Sequence, residues 1–157
     1  WLQVELAVTE VLCEDGTVPT EALKTIKQKA SFSVNRILEI EETTHHDVIA
    51  FLTNLSENIG PESRFIHLGM TSSDLLDTSL AILCGKSGDI ILKKLETFYT
   101  ILTKLAIKYK NTFQIGRSHG VHAEPITFGL KLALWSEEIK RHISRFKNAN
   151  EDIKIFF

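Results

Sequence analysis

The sequence has few cysteines and no long apolar run, and each shortage argues against a class of protein. Cys13 and Cys84 are the only two cysteines among 157 residues, and no motif spacing joins them. Two thiols without a motif spacing fit a reducing, cytoplasmic compartment better than a disulfide framework. We expect both cysteines to be small buried side chains. The apolar stretches are short and are broken by Lys, Glu or Asp, which argues against a membrane-spanning helix.

A surplus of charge of either sign is also lacking. The chain has 18 Lys and Arg against 20 Asp and Glu, a formal net charge of −2. No basic run or basic patch interleaved with aromatics occurs, so nucleic acid is not an expected partner. We expect no signal peptide before Trp1. Because Trp1 opens directly into an apolar-periodic segment and the chain stops at Ile155-Phe156-Phe157, we expect it to be a piece of a longer polypeptide.

What the sequence does have is helical periodicity over nearly its whole length, which predicts an all-α fold. The first part of the chain is divided into short segments by turn and capping residues. The predicted short helices cover residues 1–14, residues 21–29 with Thr20 as N-cap, residues 33–43, and a segment that is capped by Asp47 and ends at Gly60-Pro61.

Two long helices are predicted after these, and their length bears on assembly. The first runs from Ser72 or Ser73 to about Lys110, and the second begins at or just after Pro125. The first would be about 57 Å long at 1.5 Å per residue, whereas a compact domain of this size is about 40 Å across. We therefore expect partner helices from other subunits or from further sequence. Apolar residues at heptad spacing support such packing. This seam consists of Ile91, Leu95, Phe98, Leu102, Leu105 and Tyr109.

The change from short to long helices predicts two domains. Residues 1–70 are expected to form an N-terminal α-helical domain that is incomplete at its start. Residues 71–157 are expected to form the first, truncated part of a central long-helix bundle. Gly85 and Gly88 weaken the front of the first long helix by about 1 kcal/mol each relative to Ala, so a kink there stays open.

Five of the six histidines lie in three short polar stretches at the edges of predicted helices. The stretches are residues 44–47 (THHD), 67–74 (HLGMTSSD) and 116–125 (GRSHGVHAEP). Free N–H groups at helix starts bind anions, and histidine is the side chain best suited to proton transfer near neutral pH. The pattern therefore predicts an anion-binding, acid–base site on a helical scaffold.

Each stretch also has a purely structural interpretation. An Asp47 cap beside two solvated histidines explains the first, and a single hydroxyl cap explains the second. The third can be a connecting loop, but two glycines around Arg117 and His119 favour a ligand site, because Arg binds anions and His transfers protons. A metal site is not expected, since di-metal helical bundles place Glu-x-x-His pairs inside their helices.

Taken together, the motifs resemble the fumarase/aspartase superfamily of homotetrameric lyases, and within it the adenylosuccinate lyase family. They are HLGMTSSDLLDT at residues 67–78, GRSHGVHAEPITFGLKLALW at residues 116–135, and His46-Asp47 before Val48. They occur in the order and spacing of the family across nearly the whole chain. The resemblance implies an all-α lyase that needs no cofactor and acts on small molecules. It would split adenylosuccinate into AMP and fumarate, and SAICAR into AICAR and fumarate, by β-elimination.

The resemblance also implies roles for individual residues. His119 corresponds to the catalytic histidine of the family, the general acid, and His46 to a second catalytic position. His67 corresponds to a further active-site histidine. The assembly implied is a cytoplasmic homotetramer whose active sites are shared between subunits. The substrate-binding positions fall on His45, Asp47, His67, Thr71, Ser72 and Ser118.

The chain departs from the family pattern in several places. Ser118 replaces a common Thr but keeps a hydroxyl, and His45 stands where relatives often carry Arg, so its contact is open. The family's signature loop, with the Ser taken as general base, and an N-terminal Arg-Tyr contact are absent, so the chain holds only part of one site. Two alternatives stay open. One is a non-catalytic helical assembly module, and the other is a sister lyase with another dicarboxylate substrate.

Overall fold

The structure is a computed structural model that describes residues 1–155, and most of these residues are helical. The prediction of an all-α fold is confirmed, with one small sheet added to it. Of the terminal run Ile155-Phe156-Phe157, the last two residues lie outside the described range. The described elements are α1 (Leu2–Glu14), α2 (Thr20–Lys29), α3 (Val34–Thr44), α4 (Asp47–Ile59), the short 3-10 helix η1 (Pro61–Phe65), α5 (Ser72–Lys108), β1 (Phe113–Ser118), β2 (Val121–Thr127) and α6 (Phe128–Asp152).

The chain divides into two compact units, Trp1–Leu80 and Ala81–Phe157. The domain boundary expected at residue 70 stays a prediction. Among the described residues, none of the helices combines the length and the apolar character that crossing a bilayer requires. Cys13 and Cys84 are free thiols, and both are half-buried instead of buried as expected.

In the first unit, α4 supplies the centre of the core. Val48, Phe51, Leu55 and Ile59 recur every three or four residues, so they share one face of the helix, and each is almost fully buried. This face packs against α2 and α3. Phe51 also receives edge-on contacts from the rings of Trp1 and Phe32, with centroids 5.4 and 6.2 Å away.

Polar contacts also fasten the start of α3 to the end of α4. The N–H of Ser33 donates to Oδ1 of the buried Asn54 at 2.9 Å. The Arg36 guanidinium lies 2.7 Å from the Glu57 carboxylate. Hydrogen bonds from Arg36, and then from Asn54, hold the pKa of the Glu57 carboxyl below its usual range. These contacts lie at the end of the helix pair opposite to the junction, and they hold α3 and α4 side by side.

The predicted starts of α2 and α6 are wrong. Pro19, not Thr20, occupies the N-cap position of α2, and no side chain caps that helix. Thr20 is its first residue, because Pro19 has an extended backbone that leads directly into the helix. Pro125 does not begin α6 either, since it lies inside β2. The cap of α6 is Thr127, whose Oγ1 accepts a hydrogen bond from the N–H of Leu130 at 3.1 Å.

The long helix α5 has 37 residues and continues through Gly85 and Gly88, so neither glycine breaks it. Both glycines lie where the end of α6 approaches α5 within the second unit. A Cβ on Gly88 would collide with the side-chain oxygen of the buried Asn150. The Nδ2 group of Asn150 also donates to Asp89 Oδ1 at 2.8 Å. The glycines therefore permit close antiparallel packing of α5 and α6.

The heptad seam of α5 is only partly covered by the described residues. Leu102 is 3 % exposed, whereas Ile91 and Phe98 are 47 % and 46 % exposed. On α6, Leu132 is buried but Trp135 is 42 % exposed. The long helices thus carry apolar side chains that this chain leaves in contact with solvent.

An antiparallel hairpin of β1 and β2 replaces the connecting loop expected between the long helices. Ser118 pairs with Val121, so His119 and Gly120 alone form the turn. Their φ angles are 51° and 79°. A two-residue turn with positive φ at both positions is the type I′ geometry, whose twist matches that of the two strands. Phe113 and Ile115 alternate with Gln114 and Gly116, which is the pattern of a strand. The helical periodicity of the flanking segments hides this short pattern.

We expect Gly129→Ala to destabilise the protein and Gly85→Ala to leave its stability unchanged or slightly higher. A Cβ on Gly129 would lie 2.5 Å from the backbone of Ala106 and of Lys110, whereas a Cβ on Gly85 meets only the flexible side chain of Lys154 at 3.1 Å. Overpacking against backbone costs about 1–3 kcal/mol, and Ala otherwise gains about 1 kcal/mol over Gly in a helix. Urea unfolding measures both variants. Equal stabilities would contradict the close approach of α5 and α6.

Candidate active site

The first polar stretch forms the junction between α3 and α4. His45 ends α3 in the left-handed conformation, with φ of 50°, and its N–H donates to the carbonyl of Glu41 at 2.8 Å. His46 follows with an extended backbone and is the N-cap of α4. Nδ1 of its ring accepts a hydrogen bond from the N–H of Ile49 at 3.3 Å. The expectation that Asp47 caps this helix is therefore wrong.

The cap determines which nitrogen of His46 carries the proton. Because Nδ1 accepts from a backbone N–H, the proton of the neutral ring lies on Nε2. Oδ1 of Asp47 is 3.5 Å from the same Nδ1, but an ion pair there would need a proton on Nδ1 and would break the cap. Asp47 Oδ1 instead accepts from the N–H of Val48 at 2.7 Å. We therefore assign Nε2–H as the donor that His46 presents.

The second stretch connects η1 to α5 and begins at His67. The backbone of His67 is left-handed, with φ of 63°. Its N–H donates to Glu5 Oε2 at 2.9 Å, and its ring Nδ1 lies 2.7 Å from Glu5 Oε1. The Glu5 side chain is fully buried, whereas 19 % of the His67 side chain is exposed. Nδ1 of the imidazole is thus held by a buried carboxylate, while part of the side chain stays in contact with solvent.

The start of α5 is less open than the sequence suggests. The N–H of Thr71 is not free, because it donates to Oδ2 of Asp74 at 2.8 Å, as in a capping box. Ser72 and Ser73 are the first two residues of the helix. Among the described residues, their N–H groups and the hydroxyls of all three positions have no hydrogen-bond partner. A carboxylate or phosphate can therefore still bind at this helix start.

The third stretch places Ser118 and His119 at the tip of the hairpin. Both are exposed, and the His119 ring forms no hydrogen bond with a described residue. Gly116 lies at a bulge in the pairing, where a Cβ would be 2.5 Å from the carbonyl oxygen of Glu124. Beside the hairpin is a cleft of about 640 Å³. Its lining residues are Gln114, Ile115, Gly116, Arg117, Ile126, Leu130, Lys131 and Leu134.

The predicted site residues fall in both units. His45, His46, Asp47, His67, Thr71 and Ser72 belong to Trp1–Leu80, while Ser118 and His119 belong to Ala81–Phe157. Within the first unit, no hydrogen bond between described residues joins the α3–α4 junction to the start of α5. The assignment of all eight residues to one site stays a prediction.

Two features of the site escaped the sequence analysis. His45, His67 and His119 are the only non-glycine residues with positive φ in the described part of the chain. Glu5, the buried partner of His67, is not among the predicted site residues. The only sign of it in the sequence is an acidic residue inside the apolar start of α1. In the structure the Thr9 hydroxyl, one turn later, donates to the Glu5 carbonyl at 2.7 Å. No group of three or more His, Cys, Asp or Glu among residues 1–155 is arranged to hold a metal ion.

Known proteins resemble the chain over nearly its whole length. A family model described as lyase matches residues 2–156. The chain is 50 % identical over 155 residues to the adenylosuccinate lyase of Bacillus subtilis (strain 168), an alignment that includes 99 % of this chain and 36 % of that relative. The chain therefore spans about a third of that relative's length.

Solved structures share the fold. A fumarate lyase from Mesorhizobium sp. BNC1 superposes with a TM-score of 0.89 at 24 % identity, over 97 % of this chain and 37 % of that chain. The 3-carboxy-cis,cis-muconate lactonizing enzyme from Pseudomonas putida gives a TM-score of 0.86 at 28 % identity, over 94 % of this chain and 35 % of that chain. The first of these likenesses concerns the fold alone.

We expect His46→Ala to lower the free energy of unfolding by about 0.5–2 kcal/mol, because it removes the side-chain cap of α4. His46→Asn should recover most of this loss, since the Asn side-chain oxygen also caps a helix. Urea unfolding of the two variants measures the difference. As a control, His142→Ala changes an exposed histidine on α6 and should have little effect. Equal losses in His46→Ala and His46→Asn would contradict the capping role.

Proposed function

The chain belongs to the lyase family, and on this premise we propose that it acts in an enzyme that splits adenylosuccinate into AMP and fumarate by β-elimination. SAICAR, which gives AICAR and fumarate, is its second proposed substrate. The observation that carries the proposal is the alignment with the Bacillus subtilis relative. The two sequences are 50 % identical over 155 residues, and the aligned region includes all three histidine stretches. The reaction needs no cofactor, since acid–base groups suffice for it.

The chemistry requires groups that hold negative charge and groups that move protons. A base removes a proton next to a carboxylate, and the negative charge that develops must be stabilised by nearby donors. An acid then protonates the departing nitrogen. The hydroxyls of Thr71 and Ser72, with the free N–H groups at the start of α5, suit the carboxylates and the phosphate of the substrate. Ser118 and Asp47 contribute further polar contacts.

We assign the proton-transfer roles to the histidines. His119 is assigned as the general acid because it stands at the position of the family's catalytic histidine, and its ring is exposed at the hairpin tip. His46 presents Nε2–H as a donor and is the second catalytic residue. His67 binds the substrate, and His45, at the same junction as His46, contributes to binding.

The proposed assembly is a cytoplasmic homotetramer in which different subunits contribute to one active site. Exposed apolar side chains on the long helices support it, because a monomer would leave them in water. The two free thiols are consistent with a reducing compartment. The exposed apolar residues of α5 and α6 include Leu80, Leu83, Ile90, Ile91, Phe98, Ile101, Ile107, Leu130, Leu134 and Trp135.

His119→Asn tests the proposal with little disturbance of the backbone. Asn tolerates the left-handed conformation, and Asn-Gly is a favoured type I′ turn, so the hairpin should persist. We expect turnover to fall by about 10²- to 10⁴-fold, the usual contribution of a general acid. Fumarate release from adenylosuccinate by the full-length protein, followed by ultraviolet absorbance, measures it.

A matched control is His142→Asn, which changes an exposed histidine of α6 that contacts Arg145. It should leave turnover close to that of the unmodified protein. Near-normal turnover in His119→Asn would contradict the role of His119. Cleavage of argininosuccinate in place of adenylosuccinate would favour a sister lyase. Stable oligomers without affinity for nucleotides would favour a non-catalytic assembly module.

A further inference from the structure

We propose that the buried carboxylate of Glu5 is a positioning residue that fixes the orientation and the tautomer of the His67 ring. In this arrangement Nδ1 of His67 donates to Glu5, and Nε2 is the nitrogen presented to the substrate. The kinetic part of the inference rests on the proposed function, since it requires His67 to face the reaction. The hydrogen-bonded contact itself does not depend on any substrate.

The burial of Glu5 is the first observation. Among the described residues it is the only charged side chain that is fully buried. A carboxylate removed from water needs hydrogen-bond donors on its oxygens. Both donors come from one residue, because Oε2 accepts from the His67 N–H at 2.9 Å and Oε1 lies 2.7 Å from the His67 ring. No buried side-chain nitrogen or oxygen in the described part of the chain lacks a partner.

The backbone contact settles the role of Oε2, and the ionised form of Glu5 that the proposal assigns settles that of Oε1. A backbone N–H can only donate, so Oε2 is an acceptor. An ionised carboxylate accepts at both oxygens, which makes Nδ1–H of His67 the donor to Oε1. In the neutral imidazole Nε2 then carries the lone pair. Nε2 has no hydrogen-bond partner among the described residues, and the His67 side chain, 19 % exposed, is not closed off from solvent.

The backbone and the ring of His67 are bound by the same carboxylate. Its φ of 63° lies in the left-handed region, which histidine tolerates better than most residues but which is still less favourable than right-handed backbone. The Glu5 carboxylate binds both the N–H and the ring of this residue. The two bonds leave the ring few alternative orientations, which is the condition for a pre-organised binding group.

Glu5→Gln tests the tautomer directly, because Gln has the same shape. Its oxygen must accept from the His67 N–H, so its NH₂ faces Nδ1, which then has to be unprotonated. In neutron crystal structures of the full-length protein we expect a deuteron on Nδ1 of His67, and none there in Glu5→Gln. An unprotonated Nδ1 in the unmodified protein, or a deuteron retained in the variant, would overturn the assignment. The unmodified protein alone decides if the variant does not fold.

Kinetics test the consequence for catalysis. We expect Glu5→Gln to lower kcat/KM for adenylosuccinate by about 10- to 100-fold, as for other groups that orient a working histidine. In a His67→Asn background the same change should have an effect of less than about two-fold, because the group through which Glu5 acts is gone. A purely structural role would lower kcat/KM equally in both backgrounds, and that result would overturn the proposal.

The control variant is Glu10→Gln, which makes the same chemical change on the same helix. Glu10 is partly exposed and pairs with Lys27 at 2.8 Å, away from His67. We expect its kcat/KM to stay unchanged, and a loss equal to that of Glu5→Gln would overturn the specific role of Glu5. If the unmodified protein releases no fumarate, the proposed function fails, while the neutron structure still decides the Glu5–His67 contact.

Discussion

The contact between Glu5 and His67 joins parts of the first unit that are 62 residues apart in the sequence. It ties α1 to the segment that leads into α5, and the hydroxyl groups at the start of α5 follow within a few residues. Breaking it from either side would leave a buried polar group without its partner, which costs more than the bond itself contributes. The contact that satisfies the buried Glu5 of α1 therefore also positions the segment that leads to the hydroxyl groups at the start of α5.

Backbone conformation places the other histidines as well. His45, His67 and His119 all have positive φ, and each lies where one element ends and another begins. A left-handed residue reverses the chain within one or two positions, so its side chain emerges at the junction instead of along a helix face. Histidine tolerates this region better than most residues. The rings are therefore positioned by the main chain, with Glu5 and the cap at His46 as the added side-chain constraints.

Apolar periodicity was sufficient to locate most helices. The ends of α1, α3 and α4 agree with the pattern closely, because burial of one face decides where a helix persists. The sequence predicts a loop where the structure has a hairpin. The strands of this hairpin are short and exposed, and the His119-Gly120 turn also fits a loop. Pro125 has the residue type of a helix start, but its pairing with Ile115 decides its conformation.

The candidate site was predictable only as a set of stretches. Residue types at helix ends indicated anion binding and proton transfer, but capping preference favoured Asp47, whereas the backbone gives the cap to His46. The importance of Glu5 could not be inferred, because a single acidic residue in an amphipathic helix gives no sign of a partner 62 residues away. Contacts distant in sequence therefore account for most of what the sequence analysis missed.

The proposal with the widest consequences is that His46, His67 and His119 each act on adenylosuccinate. The most direct test is a crystal structure of the full-length His119→Asn protein, soaked briefly with adenylosuccinate, which the variant turns over only slowly. The account predicts one bound substrate in hydrogen-bond contact with His46 and with Nε2 of His67, and with residue 119 of the same or another subunit beside the departing nitrogen. Substrate bound away from His67, or beside residue 119 alone, would contradict it.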